Sequence, residues 1–290
     1  MNRNSNVYTV IYAAVLCALV AILLSAAALG LKDQQKANTD NEKKQQILMS
    51  VKTLLNKEEI SFEEASQLWG ELNMDDNQLA VDPQGNVLEG VNPFEITAKA
   101  QFAAGVVKPE AQLPVFVANI DGTPYYIMCM YGPGLWDAIW GYIAVKADGE
   151  VVGASFDHAS ETAGLGAKIK DDPNFAKSFI GKNIYTNGEF TSVAVVKAGK
   201  KSPYGGDQID GITGATKTSD CVSVMVYESL KGYLPYLQSL QQSSACCQHE
   251  GCEGCEGCQS DSCQMAEGCC ADMVKDGPDE PNPATDPLAN

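Results

Sequence analysis

The sequence predicts an α+β domain behind a single membrane-spanning helix, and three observations carry that reading. Residues 7–31 form one uncharged apolar run. Two Asp-Gly turns fall within a stretch of alternating or continuous apolar residues between 115 and 197, the mark of successive antiparallel hairpins. Segments with helical spacing flank that stretch, so strands and helices are segregated, as in an antiparallel sheet with helices around it.

The run from Val7 to Leu31 holds 25 residues without a charge. At about 1.5 Å per residue it can cross a hydrocarbon core of about 30 Å with some tilt. A cleavable signal has a shorter apolar region of about 7–15 residues, so residues 7–31 read as one uncleaved transmembrane helix in the lipid bilayer. The small residues Ser25–Ala28 would suit a peptidase and keep cleavage as the alternative. Arg3 precedes the run, whereas Lys32, Lys36, Lys43 and Lys44 follow it. Taken alone, that bias places the main domain in the cytoplasm.

Glu42–Lys57 reads as helix, with Ile47, Val51, Leu54 and Leu55 on one face. Ser61 followed by Glu64 is a capping box that opens a helix through Leu68 and Trp69. Asp82-Pro-Gln-Gly85 is a turn, and Asn92-Pro93 starts a short helix to about Ala103. Val115–Ile120 and Tyr125–Met130 flank Asp121-Gly122; Trp140–Val145 and Val151–Phe156 flank Asp148-Gly149. Phe175–Ile180 reads as helix and Phe190–Lys197 as strand. A final helix runs from about Lys217 to Tyr233 and is stopped by Pro235. The expected division is a transmembrane helix at 7–31, a soluble α+β region at 42–242 with its core at about 115–235, and a tail at 243–290.

The formal charge is −17, which excludes a nucleic-acid binder, since phosphate neutralisation needs a Lys/Arg-rich face. Much of the charge sits in the tail. From Cys246 to Asn290 there are ten acidic residues and one basic, Lys275, together with eight of the eleven cysteines. Few sizeable apolar residues lie there, so the tail reads as acidic and flexible, unable to offset its chain entropy by burial. Cys252-x2-Cys255-x2-Cys258 has ligand-like spacing. Metal binding, a thiol or disulfide tail and an iron–sulfur cluster stay open as readings. A ferredoxin run would need a further Cys after three residues and then Pro, and Cys263-Gln264 does not supply it.

Three motifs could carry chemistry. In Asp210-Gly-Ile-Thr213-Gly214-Ala215-Thr216-Lys-Thr218-Ser219, a helix cap accounts for one hydroxyl and leaves three others, two glycines and an alanine to explain. Small residues around a hydroxyl let a phosphate or a modifying enzyme approach, and the helix start beyond supplies N–H groups and positive partial charge. No Walker A loop occurs. In His158-Ala-Ser-Glu161-Thr162-Ala-Gly164-Leu165-Gly166-Ala, the glycines mark a backbone that bends tightly or lies against a flat object, with Glu161 and Thr162 placed to hydrogen-bond its edge; His158 by itself reads as structural. In Tyr131-Gly-Pro-Gly134-Leu135-Trp136, a glycine-flanked apolar pair suits the face of an aromatic ring, with a core Trp as the other reading.

These three ordered motifs behind one N-terminal helix resemble the covalent-FMN subunits of the sodium-translocating NADH:quinone reductases, over roughly residues 7–240. The resemblance implies a covalent FMN-binding domain with the flavin joined to Thr216 through a phosphoester. It implies Thr213, Gly214 and Ala215 as the attachment loop, and Glu161, Thr162, Gly164, Leu165, Gly166, Leu135 and Trp136 around the flavin. It also implies an FMN-carrying electron-transfer role within a complex that oxidises NADH, reduces ubiquinone and pumps Na+ across the inner membrane. The partners are then the other subunits, with a flavin transferase for maturation and the soluble domain facing the periplasm, against the lysine bias. The last two motifs are shared with a sister family, the flavin-bearing subunits of the ion-translocating ferredoxin:NAD oxidoreductase complex, and Gly-Leu-Trp at 134–136 is closer to the quinone reductase. From another class, a membrane-tethered metal-binding module centred on Cys252, Cys255 and Cys258 is the alternative. Ala163 stands where the family usually has Pro, and the cysteine-rich tail has no usual counterpart. Sodium coupling cannot reside in this chain alone, because one apolar helix without an internal carboxylate makes no ion path.

Overall fold

The computed structural model describes residues 6–246. Helix α1 runs unbroken from Asn6 to Met49, 44 residues or about 66 Å at 1.5 Å per residue. Its apolar part is long enough to cross a membrane, and those residues are exposed in the isolated chain. The expected separate helix at 42–57 is therefore the end of this one, and it stops earlier. The Ile47 carbonyl accepts from the Ser50 N–H and, at 2.6 Å, from its hydroxyl, and tight turns follow to Asn56, whose φ is +55°. The apolar spacing that suggested helix is nonetheless used, since Ile47, Leu48 and Val51 are fully buried.

Five antiparallel strands form the central sheet in the order β1 (Gln78–Val81), β4 (Leu113–Ile120), β5 (Thr123–Pro133), β6 (Ala138–Val145) and β7 (Val151–His158). Short α2 (Phe62–Glu71) precedes β1, with the Ser61 hydroxyl accepting the Glu64 N–H. The segment read as helix from 92 to 103 is instead a 3-10 turn at Pro93–Glu95, a four-residue α3 (Ala98–Gln101) and a small ribbon of β2 (Phe102–Ala103) with β3 (Val106–Val107). Asp121 and Gly122 both adopt positive φ, which matches the right-handed twist of the β4–β5 hairpin.

The strands read as apolar runs because both faces of the sheet are covered. Register places Phe116, Ile127, Cys129 and Tyr142 on one face and Met128, Met130 and Gly132 on the other. On the first, the Trp69 ring of α2 meets Phe116 edge-on at 5.9 Å, and the Gln46 carbonyl of α1 accepts from the Ser155 hydroxyl. On the second lies α6 (Thr216–Cys246), whose Met225 would leave a side chain at Gly132 a gap of only 3.1 Å. Beyond β7, α4 (Lys168–Asp171) and α5 (Pro173–Lys177) are pinned by an aromatic trio, Phe156, Phe175 and Phe179.

Two further expectations change. The strand read at 190–197 divides into β9 (Glu189–Phe190), paired with β8 (Tyr185–Thr186), and β10 (Ala194–Val196), which runs parallel to β11 (Gln208–Asp210). Helix α6 continues through Pro235 instead of stopping there. Proline removes one helical hydrogen bond, but burial on both sides of it holds the helix: Tyr233, Tyr236 and Leu237 are all in the core. The Tyr233 hydroxyl also bridges two strands, accepting from the Cys129 N–H at 3.3 Å and donating to the Pro114 carbonyl at 3.0 Å, where direct β4–β5 pairing ends. Cys252, Cys255 and Cys258 lie outside the described residues, as does nearly all of the tail.

Candidate functional site

The chain leaves β11 at Asp210, turns through residues 211–215 and starts α6 at Thr216. The turn closes with the Ala215 N–H on the Ile212 carbonyl at 3.0 Å, and Gly214 sits at φ +83°, a conformation unfavourable for any residue with a Cβ. Burial sorts the four hydroxyls that sequence alone leaves equivalent. Ser219 is buried; its oxygen accepts from the Ile212 N–H and donates to the Ala215 carbonyl. Thr218 is buried and donates to Glu161 at 2.7 Å. Thr213 and Thr216 are exposed, and of these Thr216 is the first residue of the helix, beside first-turn N–H groups that have no partner within it.

The loop after β7 reaches this helix start through one carboxylate. Glu161 is 7% exposed, and both its oxygens are engaged by the protein. Oε1 accepts from the backbone N–H groups of Leu135 at 2.8 Å and Trp136 at 3.1 Å, while Oε2 accepts from Thr218. The glycines around it follow from that position. A Cβ on Gly134 would stand 2.6 Å from Oε1, and one on Gly166 would collide with Oε2 and stand 2.7 Å from the Thr218 hydroxyl. Gly166 therefore leaves room for a carboxylate, whereas Gly164, with φ +74° and open space around it, makes the bend. His158 has a local structural role, its Nδ1 accepting the Glu161 N–H at 3.2 Å.

Around this knot lies an open apolar surface. Trp136 is 69% exposed, so it is not a core residue after a hairpin; Leu135 and Leu165 beside it are about half exposed. The Trp136 indole N–H donates to the Thr162 hydroxyl at 3.1 Å. Leu165 extends toward the loop before α6, its Cδ2 lying 3.0 Å from where a Gly214 side chain would begin. Thr162, Leu135 and Trp136 are thus brought together, and Leu165 reaches Gly214, two residues before Thr216. Ala215 stands between those two, but its side chain is buried. Thr213 faces an adjoining groove of about 480 Å³ lined also by Lys168, Lys182, Asp210 and Gly211. A larger cleft of about 760 Å³, between the end of α1 and α4–α5, contains none of these motif residues.

The charge near the helix start is mixed. Burial, with the Glu161 and Asp220 carboxylates nearby, raises the Cys221 thiol above its ordinary value, opposed by Lys217, so this half-buried thiol stays protonated. Thr218 is the residue that motif reading left without a role. Helical spacing points to it, since Thr218, Ser219, Val222, Met225 and Val226 share the buried face of α6.

An exposed hydroxyl at a helix N-terminus next to an open plate of Trp136, Leu135 and Leu165 fits flavin mononucleotide: the helix start suits the phosphate and the plate suits the ring. A family model described as the FMN-binding domain matches residues 134–231. The chain is 28% identical over 260 residues to the C subunit of the Na(+)-translocating NADH-quinone reductase of Haemophilus ducreyi, covering 84% of this chain and 97% of that one. It is 28% identical over 211 residues to the corresponding protein, of the same name, from Vibrio vulnificus, covering 70% and 82%. The crystal structure of the C subunit from Parabacteroides distasonis superposes with a TM-score of 0.63 at 44% identity, covering 71% of this chain and 96% of that one.

Proposed function

Because this chain belongs to the family of Na(+)-translocating NADH-quinone reductase C subunits, we propose that it holds FMN covalently on Thr216 and transfers electrons within a complex that oxidises NADH, reduces quinone and moves Na+ across the inner membrane. The observation that carries the reading is the placement of Thr216: exposed, first in α6, and two residues after Gly214, against whose position the Leu165 side chain lies.

FMN, when bound, supplies one- and two-electron chemistry that no side chain here could perform. The residues of this chain tether, orient and expose it. Thr216 Oγ1 would form the phosphoester, and the first-turn N–H groups of α6 would hold the remaining phosphate oxygens. Trp136, Leu135 and Leu165 would cover part of the ring, with the Thr162 hydroxyl at its polar edge. A phosphoester leaves ring electronics unchanged, so the contacts set the potential. The open site suits a carrier that must meet a donor and an acceptor in turn, and a covalent tether prevents loss between encounters.

An aliphatic hydroxyl is a poor nucleophile at neutral pH, so choosing Thr216 over Thr213, which is also exposed, calls for a modifying enzyme that reads the loop. The reading puts the soluble domain in the periplasm, as the resemblance implies, against the lysines after the apolar helix. A reporter fused after Ser243 that works only in the cytoplasm would reverse that placement. For the cofactor, denaturing gels under ultraviolet light give the decisive readout. Thr216→Ala should lose the fluorescent band with the fold intact, and a band of normal intensity rejects the reading.

A further inference from the structure

We propose that Glu161 is the positioning residue of this site: its carboxylate locks the Gly134–Trp136 turn to the first turn of α6, fixing the Trp136 ring relative to the helix start that carries Thr216. The inference rests on the reading that Thr216 carries FMN. It goes beyond that reading by giving Glu161 a role without a contact to the flavin.

Occupancy and geometry both point to Glu161. A carboxylate accepts hydrogen bonds and donates none, and Glu161 spends both oxygens on protein donors: two backbone N–H groups on one side and the Thr218 hydroxyl on the other. These donors lie 25, 26 and 57 residues away in sequence, in the other two motifs. Nothing else among the described residues ties Leu135 and Trp136 to α6 by a hydrogen bond. Glu161 is itself held, by its own N–H on His158 Nδ1, and that imidazole belongs to the last residue of β7. A side chain at Gly166 would meet this carboxylate first, and one at Gly134 would meet the Asp137 carbonyl at 2.5 Å, this carboxylate at 2.6 Å and Ile139 at 2.8 Å. Thr218 stands two residues after Thr216 on the same helical turn, so its bond fixes how that turn rotates and where Thr216 Oγ1 points. Trp136 is mostly exposed and cannot be oriented by packing. Its ring direction comes from two hydrogen bonds, one through its backbone to Glu161 and one through its indole to Thr162.

The test uses the full-length chain in detergent, labelled with 5-fluorotryptophan and made without flavin-attaching enzyme, so that fluorine spectra report Trp69, Trp136 and Trp140 independently of any cofactor. The same variants are then co-expressed with that enzyme and scored for covalent flavin. Glu161→Ala should move the Trp136 resonance while leaving those of Trp69 and Trp140 in place, and should cut flavin loading by about tenfold. Glu161→Gln should restore both, because the amide oxygen can accept from the two N–H groups while its NH2 faces Thr218, whose hydroxyl can also accept. Thr218→Val, which keeps shape and removes one anchor, should give a smaller shift and a several-fold loss, and it serves if Glu161→Ala does not fold. An unmoved Trp136 resonance with full loading in Glu161→Ala, or in Thr218→Val where the former does not fold, overturns the proposal. So does Glu161→Gln failing as badly as Glu161→Ala, since the charge and not the hydrogen bonds would then matter. Failure of the flavin reading itself shows separately, as a persisting band in Thr216→Ala.

Discussion

Gln46 of α1 donates from its side-chain amide to the buried Asp157 carboxylate of β7 at 3.0 Å, joining residues 111 apart, while its amide oxygen accepts the Trp140 indole N–H at 3.3 Å. The apolar N-terminal helix is thereby keyed into the sheet edge from which the loop bearing Glu161 departs. Gln46→Ala should lower stability by about 1–3 kcal/mol, because Asp157 keeps Lys170 but loses a buried partner and Trp140 loses its acceptor. Urea denaturation of the detergent-solubilised chain measures this. Covalent flavin should be unaffected, and an unchanged midpoint would show that the key is not used.

Gly214 and Gly164 separate backbone strain from site geometry. Both have positive φ, so alanine at either should cost about 1–2 kcal/mol. Only at Gly214 does the new methyl press on Leu165. Gly214→Ala should therefore reduce flavin loading several-fold, and Gly164→Ala should leave it near normal at a similar loss of thermal stability. Equal loading in the two variants would contradict the contact.

Trp136 is exposed enough that Trp136→Ala should change stability by no more than about 0.5 kcal/mol. Its effect should appear in the loaded protein. An indole against the ring quenches flavin emission, so native fluorescence should rise in Trp136→Ala while the emission after denaturation stays the same. Thr162→Val, which removes the acceptor of the indole N–H, should move it less in the same direction.

Alkaline pH should destabilise the domain in a way that traces to Cys129. Complete burial pushes this thiol from 9.0 up to about 11, with the Tyr233 hydrogen bond and the Lys43 charge opposing. The folded state then holds a proton that the unfolded chain releases. Its contribution is complete below pH 9 and is lost as pH rises toward 11, at up to about 1.4 kcal/mol per pH unit. Cys129→Ala should flatten the decline between pH 9 and 10. Buried tyrosines such as Tyr126 and Tyr236, also raised, keep the decline above pH 10. Equal slopes for both proteins across the lower interval would sink the assignment.

The sequence alone determines what local chemistry can specify. Asp121-Gly122 and Asp148-Gly149 place two hairpins because few residues tolerate positive φ. An uncharged run long enough for a bilayer marks the N-terminal helix, and three motifs mark the chemistry. Tertiary structure decides the rest, for reasons that spacing cannot contain. Pro235 signals a helix stop, yet α6 passes through it because Tyr233, Tyr236 and Leu237 gain more from burial than the lost hydrogen bond costs. Four hydroxyls near the start of α6 look alike in sequence, and only burial leaves two of them open. Glu161 and Trp136 both read as flavin neighbours, but folding buries one as a carboxylate shared by three donors and leaves the other in solvent. Turns and caps depend on a few adjacent residues; burial and long-range hydrogen bonds depend on which distant segments share a space, and that is settled only when the sheet and α6 close on one another.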